Sequence, residues 1–386
     1  MYNLLTNSTM KRLVTLGLLS VMSCLSALAQ KEIIYVGTYS VRGSEGIYVY
    51  EFDRKTGAMQ QIQAMGNAKS PSFLALHPSG NYLYSVNEGS QIGPNNAGAV
   101  SAYAIDAKTG KLAFLNTQSS LGNGPCHITI DKTGKTAFVS NYGGGSLAVL
   151  PILSDGKLAV ATDSVIDVGS GPNKQRQEKP HVHSAILSPS NKTVYVSDLG
   201  TDQINQLKIN ASTATVESAK PPFVPVKPGS GPRHLTFHPN GQFAYVVEEL
   251  TSSVAIFRRN TATDELVLLQ DGVKTLADNF DKKNTSADIH IDPAGRFLYQ
   301  SNRGENTLAI FAIAPDGMLT KVGSQPTMGK EPRNFLIDPK GEFLFAANQN
   351  SDNIVLFRRD TKTGKLTYSG KTVAVPSPVC VLMTNR

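Results

Sequence analysis

One motif of short apolar runs and turns recurs along this chain, and its last copy is split between the two ends. A complete copy reads Gly231-Pro232-Arg233-His234-Leu235-Thr236-Phe237-His238-Pro239-Asn240-Gly241, followed by the run Phe243 to Val247, the pair Glu248-Glu249 and the run Val254 to Phe257. Related copies begin near Ser70, Gly124, Lys179, Thr285 and Glu331. A β-rich repeat of roughly 45 to 55 residues cannot bury both faces alone, so its copies must pack radially. The predicted fold is all-β: a β-propeller of four-stranded blades.

The ends predict how the ring closes. The last copy holds only one strand, Val379 to Met383, while the chain opens with Ile33 to Val36, Ile47 to Tyr50 and the turn Lys55-Thr56-Gly57. Together these make one blade shared between the termini, which removes an open sheet edge and brings the count to seven. The ring is expected to span residues 30–386, about 51 residues per blade.

Residues 1–29 read as a signal peptide. Lys11-Arg12 precede an apolar stretch from Leu13 to Leu28 that is short for a membrane span, and Ala27-Leu28-Ala29 forms a small-x-small cleavage pattern before Gln30. A periplasmic or secreted location is therefore expected, with a lipid anchor at Cys24 the less favoured outcome. Removing Lys11 and Arg12 lowers the formal charge from +7 to +5, without the clustered basic stripe of a nucleic-acid binder. Neither a nucleic-acid partner nor a membrane span is expected, and the protein is read as a monomer. Cys126 and Cys380 fall in inner strands and read as buried thiols.

Within each copy the inner strand A ends at a turn such as Ser79-Gly80, Thr133-Gly134, Asn240-Gly241, Ala294-Gly295 or Lys340-Gly341, so the start of A and the end of strand B share one end of the blade. Aligned on these turns, the residues entering strand A are Ser72, Cys126, His183, Arg233, Ala287, Arg333 and Val379. His127, His234, Asp288 and Asn334 follow one place later. The pairs leaving strand B are Asn87-Glu88, Asn141-Tyr142, Asp198-Leu199, Glu248-Glu249, Asn302-Arg303 and Asn348-Gln349. Two longer connections, Gly169 to Pro180 and Asp278 to Ser286, should overhang the same mouth. The opposite end carries only generic turns such as Lys108-Thr109-Gly110-Lys111, so chemical variety concentrates at one mouth of the central channel.

Arg233, Arg303 and Arg333 beside His127, His181, His183, His234 and the acids Glu88, Asp198, Glu248 and Glu249 describe an anion-accepting pocket with a candidate base. The recurring Asn or Asp at the end of strand B, including Asn141 and Asp198, has a plainer reading as a turn cap. Tyr142-Gly143-Gly144-Gly145 reads as a tight turn, since no helix or Lys follows as a phosphate loop would need. If Glu248 and Glu249 both face the pocket, their repulsion should raise one carboxyl.

The stretches Tyr35-Val36-Gly37-Thr38-Tyr39, Asn141-Tyr142-Gly143-Gly144-Gly145-Ser146, Pro180-His181-Val182-His183-Ser184, Asp198-Leu199-Gly200-Thr201-Asp202, Gly231-Pro232-Arg233-His234, Glu249-Leu250, Ser301-Asn302-Arg303-Gly304 and Pro332-Arg333-Asn334-Phe335 resemble the seven-bladed-propeller lactonases, the family of bacterial 6-phosphogluconolactonase and fungal carboxy-muconate cycloisomerase. The resemblance covers essentially all of residues 30–386. It implies hydrolysis of a sugar-acid lactone without cofactor or metal. The implied catalytic residues are His183 (or His181), Arg233, Glu249 and Arg303; His181, His234, Arg333, Asp198 and Asn141 are expected to contact an anionic lactone or sugar acid. Two alternatives remain: a calcium-dependent lactonase using Asn141, Asp198, Glu249, Asn302 and Asn348 as oxygen ligands, and a propeller that binds its ligand without turnover.

Overall fold

The computed structural model describes residues 32–92 and 96–385. The expected signal peptide and Cys24 lie outside the described residues. The described chain forms seven antiparallel sheets of four strands each. Each inner strand touches the inner strand of the next blade, and Pro378–Asn385 touches Phe73–Leu76, which closes the circle. The protein is a seven-bladed β-propeller.

Closure follows the split repeat. Pro378–Asn385 is the inner strand of a sheet continued by Glu32–Thr38, Ile47–Asp53 and Ala58–Met65. The A-to-B turns form as expected: Gly80, Gly134, Gly241, Gly295 and Gly341 all sit at φ between 70° and 72°, where a side chain would be strained.

Seven hydrophobic clusters fill the seven blade-to-blade interfaces. One of them packs Tyr84, Val86 and Val100 against Ile128, Ala137 and Val139 of the next blade. Five buried tyrosines of strand B also reach across. Tyr35, Tyr84, Tyr245 and Tyr299 donate to the carbonyls of Gly110, Gly156, Gly317 and Gly364 at 2.6–3.0 Å, and Tyr195 donates to Asp264 O. These carbonyls belong to the uniform C-to-D turns, so the uniformity answers a stapling role that satisfies a buried hydroxyl. The cysteines Cys126 and Cys380 are buried free thiols.

Candidate active site

Six of the seven inner strands shift register against strand B at the mouth end. The residues skipped by the pairing are Val379, Cys126, His183, Arg233-His234, Ala287-Asp288 and Arg333. A bulge re-aims side chains that strict alternation would send to opposite faces. Consecutive residues of each strand therefore build two tiers around the axis. The upper tier lines the mouth; the lower tier closes the channel beneath it.

The mouth is a cavity of about 550 Å³. Its walls include Glu88, Cys126, Tyr142, Arg176, His183, Lys283, Glu249, Arg303 and Arg333. Glu249 is the hub. Its Oε1 accepts from Arg176 Nη2 at 2.6 Å, and its Oε2 lies 3.0 Å from both Arg233 Nε and Arg303 Nη2. Burial alone would raise this carboxyl, but Arg303, Arg233 and Arg176 overrule it and hold Glu249 down at about 2. It is a carboxylate at any ordinary pH, and a weak base.

Arg233 is buried and stands behind Glu249. It borders a small cleft under the cavity with Tyr39, Ser72 and His234. Burial lowers its guanidinium, and Arg333 and Arg303 add repulsion. Arg333 lies over the Tyr39 ring, 5.4 Å from its centroid. No carboxylate among the described residues pairs with it within 4 Å, so its fork is open to an anion. Lys283 reaches the same cavity from the connection expected to overhang it.

His183 lines the cavity beside Cys126, whose Sγ is 3.9 Å from its Nδ1 and 3.3 Å from its carbonyl oxygen. The Tyr142 ring meets the His183 ring edge-on, centroids 5.5 Å apart. Burial first, then Arg233, His234 and Arg333, hold His183 well below its ordinary value. It is neutral at neutral pH. Burial pushes the Cys126 thiol up to about 12, with Glu88 adding to the effect, so it is no nucleophile.

Other expected site residues stand away from the cavity wall. The His181 ring stacks on Tyr142 at 4.5 Å and faces Glu178 Oε1 at 3.1 Å. Asp198 Oδ1 accepts from the backbone N–H groups of His181 and Gly200 at 2.7 and 2.8 Å. Asn141 Nδ2 donates to Ser120 O at 2.9 Å, capping a turn. His234 lies in the lower tier, bonded to Asp288 at 2.8 Å. The acid pair does not share the pocket: Glu248 is turned back to Ser253 Oγ at 2.6 Å. Its carboxyl is pushed up to about 8, by burial and then by Asp271, and not by Glu249. The oxygen ligands of the calcium reading are not assembled either. Glu249 lines the cavity and is held by three cations, whereas Asn141, Asp198, Asn302 and Asn348 are not among its lining residues, and the three asparagines bond to Ser120, Thr275 and Thr327 in the connections leading into their blades.

Two cavity residues were not among the expected catalytic or substrate-contacting residues. Arg176 sits in the Gly169 to Pro180 connection, clamped where buried Gln177 donates from Nε2 to Leu199 O at 2.9 Å and Asp202 Oδ1 at 2.7 Å. Tyr142 reads as part of a glycine turn, yet its hydroxyl accepts from Arg176 at 3.3 Å. Its place directly after strand B, matching Glu249 and Arg303, was the available signal.

A family described as lactonase, 7-bladed beta-propeller, matches residues 33–383. The 6-phosphogluconolactonase of Bacillus subtilis is 38% identical over 352 residues, covering 91% of this chain and 98% of the relative. The protein of the same name from Formosa agariphila is 41% identical over 343 residues, covering 86% and 94%. The solved structure of the periplasmic gluconolactonase of Pseudomonas aeruginosa is similar with a TM-score of 0.85 at 34% identity, over 92% of this chain and 99% of that one. A ring closed by a shared blade, a mouth of arginines about one carboxylate and a match along nearly the whole ring agree: this chain belongs to the seven-bladed β-propeller lactonases.

Proposed function

We propose that this protein hydrolyses a sugar-acid lactone in the mouth cavity, with His183 as the base and the arginines as electrostatic stabilisers. The observation that carries the reading is one cavity holding a neutral histidine beside guanidinium groups ordered by Glu249. Water attacks the lactone carbonyl while His183 accepts its proton. The tetrahedral oxyanion forms against Arg303 and Arg333. Both guanidinium-bearing residues line the cavity in which the lactone would sit. As the ring C–O bond breaks, the leaving alkoxide takes the proton back from His183, giving a hydroxy-acid. Glu249 serves by fixing the arginines, since a carboxylate held near 2 has little drive to take a proton at neutral pH.

Relatives named for 6-phosphogluconolactone and gluconolactone hydrolysis support the sugar-acid class. The test is turnover of a lactone panel by the purified protein. Arg303→Ala should lower kcat/KM at least about a hundredfold, and an unchanged rate would defeat the assignment. We further propose that the enzyme works outside the cytoplasm as a monomer. The basic-apolar-Ala27-Leu28-Ala29 pattern and the periplasmic relative support export. N-terminal sequencing of the protein recovered from the periplasm should read Gln30 first; retention of Met1 would refute processing.

A further inference from the structure

The lower tier forms an unbroken belt around the axis. The Phe73 ring lies 4.3 Å from the His127 ring, and Ala185 N–H donates to His127 Nδ1 at 3.4 Å. Ser184 Oγ donates to Arg233 O at 2.7 Å, and His234 Nδ1 meets Asp288 Oδ1 at 2.8 Å. Asn334 Nδ2 donates to Asp288 Oδ2 at 2.5 Å while its Oδ1 accepts from Val381 N–H at 2.7 Å, and Leu74 N–H reaches Cys380 Sγ at 3.4 Å. Each link joins one blade to the next, and seven links complete the circle. At one of them the belt touches the site.

That link is His234. Asp288 is buried, and His234 and His290 hold its carboxyl well below the usual range against the opposing effect of burial. It can only accept, so His234 must carry its proton on Nδ1. The other nitrogen, Nε2, is then unprotonated, and Arg233 Nη1 lies against the ring, 3.2 Å from Nε2 and 3.5 Å from Nδ1. The second N–H of the same Nη1 goes to Ala287 O at 2.5 Å. These contacts hold the guanidinium in place with Nε 3.0 Å from Glu249 Oε2, an ion pair without hydrogen-bond geometry. An imidazole of the other tautomer would turn a donor against a donor.

We propose that His234 and Asp288 are positioning residues, which fix the Arg233 guanidinium and through it the Glu249 carboxylate around which the cavity arginines are arranged. This rests on the lactonase reading of the cavity but assigns a role to residues that touch no substrate. His234 is the element that passes order from belt to site.

Two substitutions separate positioning from belt integrity. His234→Gln offers an oxygen near the place of Nε2 and so keeps an acceptor for Arg233, while giving up the belt bond. His234→Asn offers an NH₂ near the place of Nδ1 and so keeps the bond to Asp288, while leaving Arg233 without its second acceptor. With glucono-δ-lactone and its 6-phosphate as substrates, His234→Gln should keep kcat within about threefold of wild type. His234→Asn should lose at least about tenfold in kcat with a smaller change in KM, since a misplaced group can cost up to about a hundredfold. The reverse order would overturn the proposal, because it is the order a purely structural belt predicts. Should either variant melt too low to assay, histidine-selective ¹⁵N NMR on the wild-type protein decides. A neutral Nδ1–H tautomer at His234 supports the proposal, and an Nε2–H tautomer overturns it. Absence of turnover by the wild type on every lactone would sink the hydrolase reading separately, while the tautomer would still judge the link to Arg233.

Discussion

Replacing Glu249 by Gln removes the one charge that holds three guanidinium groups together. The carboxyl lies at about 2 against an ordinary 4.5, which corresponds to about 3 kcal/mol of folded-state stabilisation of the charged form. The group is nearly fully buried, so solvent screening removes little of this. With an unfolding entropy of roughly 2.1 cal/mol/K per residue over a ring of roughly 350 residues, that loss should lower Tm by about 4 °C. The pH dependence carries a second signature. A depressed carboxyl contributes stability that is present above 4.5 and lost as pH falls through about 2. The difference in Tm between wild type and Glu249→Gln should therefore be full at pH 7 and shrink between these limits. Other carboxylates titrate equally in both proteins and cancel from the difference. Calorimetric melts across this range, paired with kcat/KM at pH 7, make the assay; the rate should fall at least about a hundredfold. A variant melting within about 1 °C of wild type at pH 7, or a gap undiminished at pH 2, would refute the hub.

Because His183 is held well below its ordinary value, kcat/KM should stay level as pH falls from 8 to 6.5 and decline only below that; an acid limb centred at or above 6.5 would exclude it as the base. His183→Gln should cost about a hundredfold or more in kcat/KM at pH 7. Glu248 is raised, so its protonated form stabilises the fold below 4.5 and that contribution is lost as pH rises through about 8. Glu248→Gln should thus match wild type in kcat/KM within about threefold and resist alkaline unfolding better, whereas a large rate loss would return Glu248 to the chemistry. Deleting residues 377–386 removes the strand Pro378–Asn385 that pairs with Glu32–Thr38. It should cause aggregation or a drop in Tm beyond about 2 °C, and a truncated protein melting as wild type does would contradict closure by that strand.

The repeat made the fold legible because blades obey one register: turns at Gly134, Gly241 and Gly341 fix where each strand begins and ends. The mouth was legible for the same reason. Positions outside that register were not. Arg176 belongs to one of the two longer connections, whose length points to the mouth but whose residues fall outside the repeat alignment, so nothing in it could aim the side chain at Glu249. Glu248 and Glu249 looked like a pair because they are neighbours, yet Glu248 is the last paired residue of Phe243–Glu248 and faces Ser253. Alternation along a strand separates such neighbours. The opposite held for Arg233 and His234, where alternation predicts separation and the bulge brings both toward the axis. Short apolar runs carry no mark of a bulge, so which neighbours part and which stay together is decided by backbone pairing that composition does not report.

The bulge also explains how a site of like charges survives in a stable ring. Arg233, Arg303 and Arg333 repel one another in a buried mouth, and burial and Arg333 lower both Arg233 and Arg303. Such a cluster opposes folding unless its cost is met nearby. Glu249 meets part of it from the end of strand B, and the belt beneath supplies rigidity without drawing on the upper tier's side chains. A residue skipped by the A–B pairing forms no ladder bond to strand B there, so changing its side chain leaves that pairing intact. His183, Cys126 and Arg333 occupy such places, and the residues that close the circle, Ser184, His127 and Asn334, follow directly behind them. The chemistry of the mouth can therefore differ from blade to blade while one strand position later the circle stays closed.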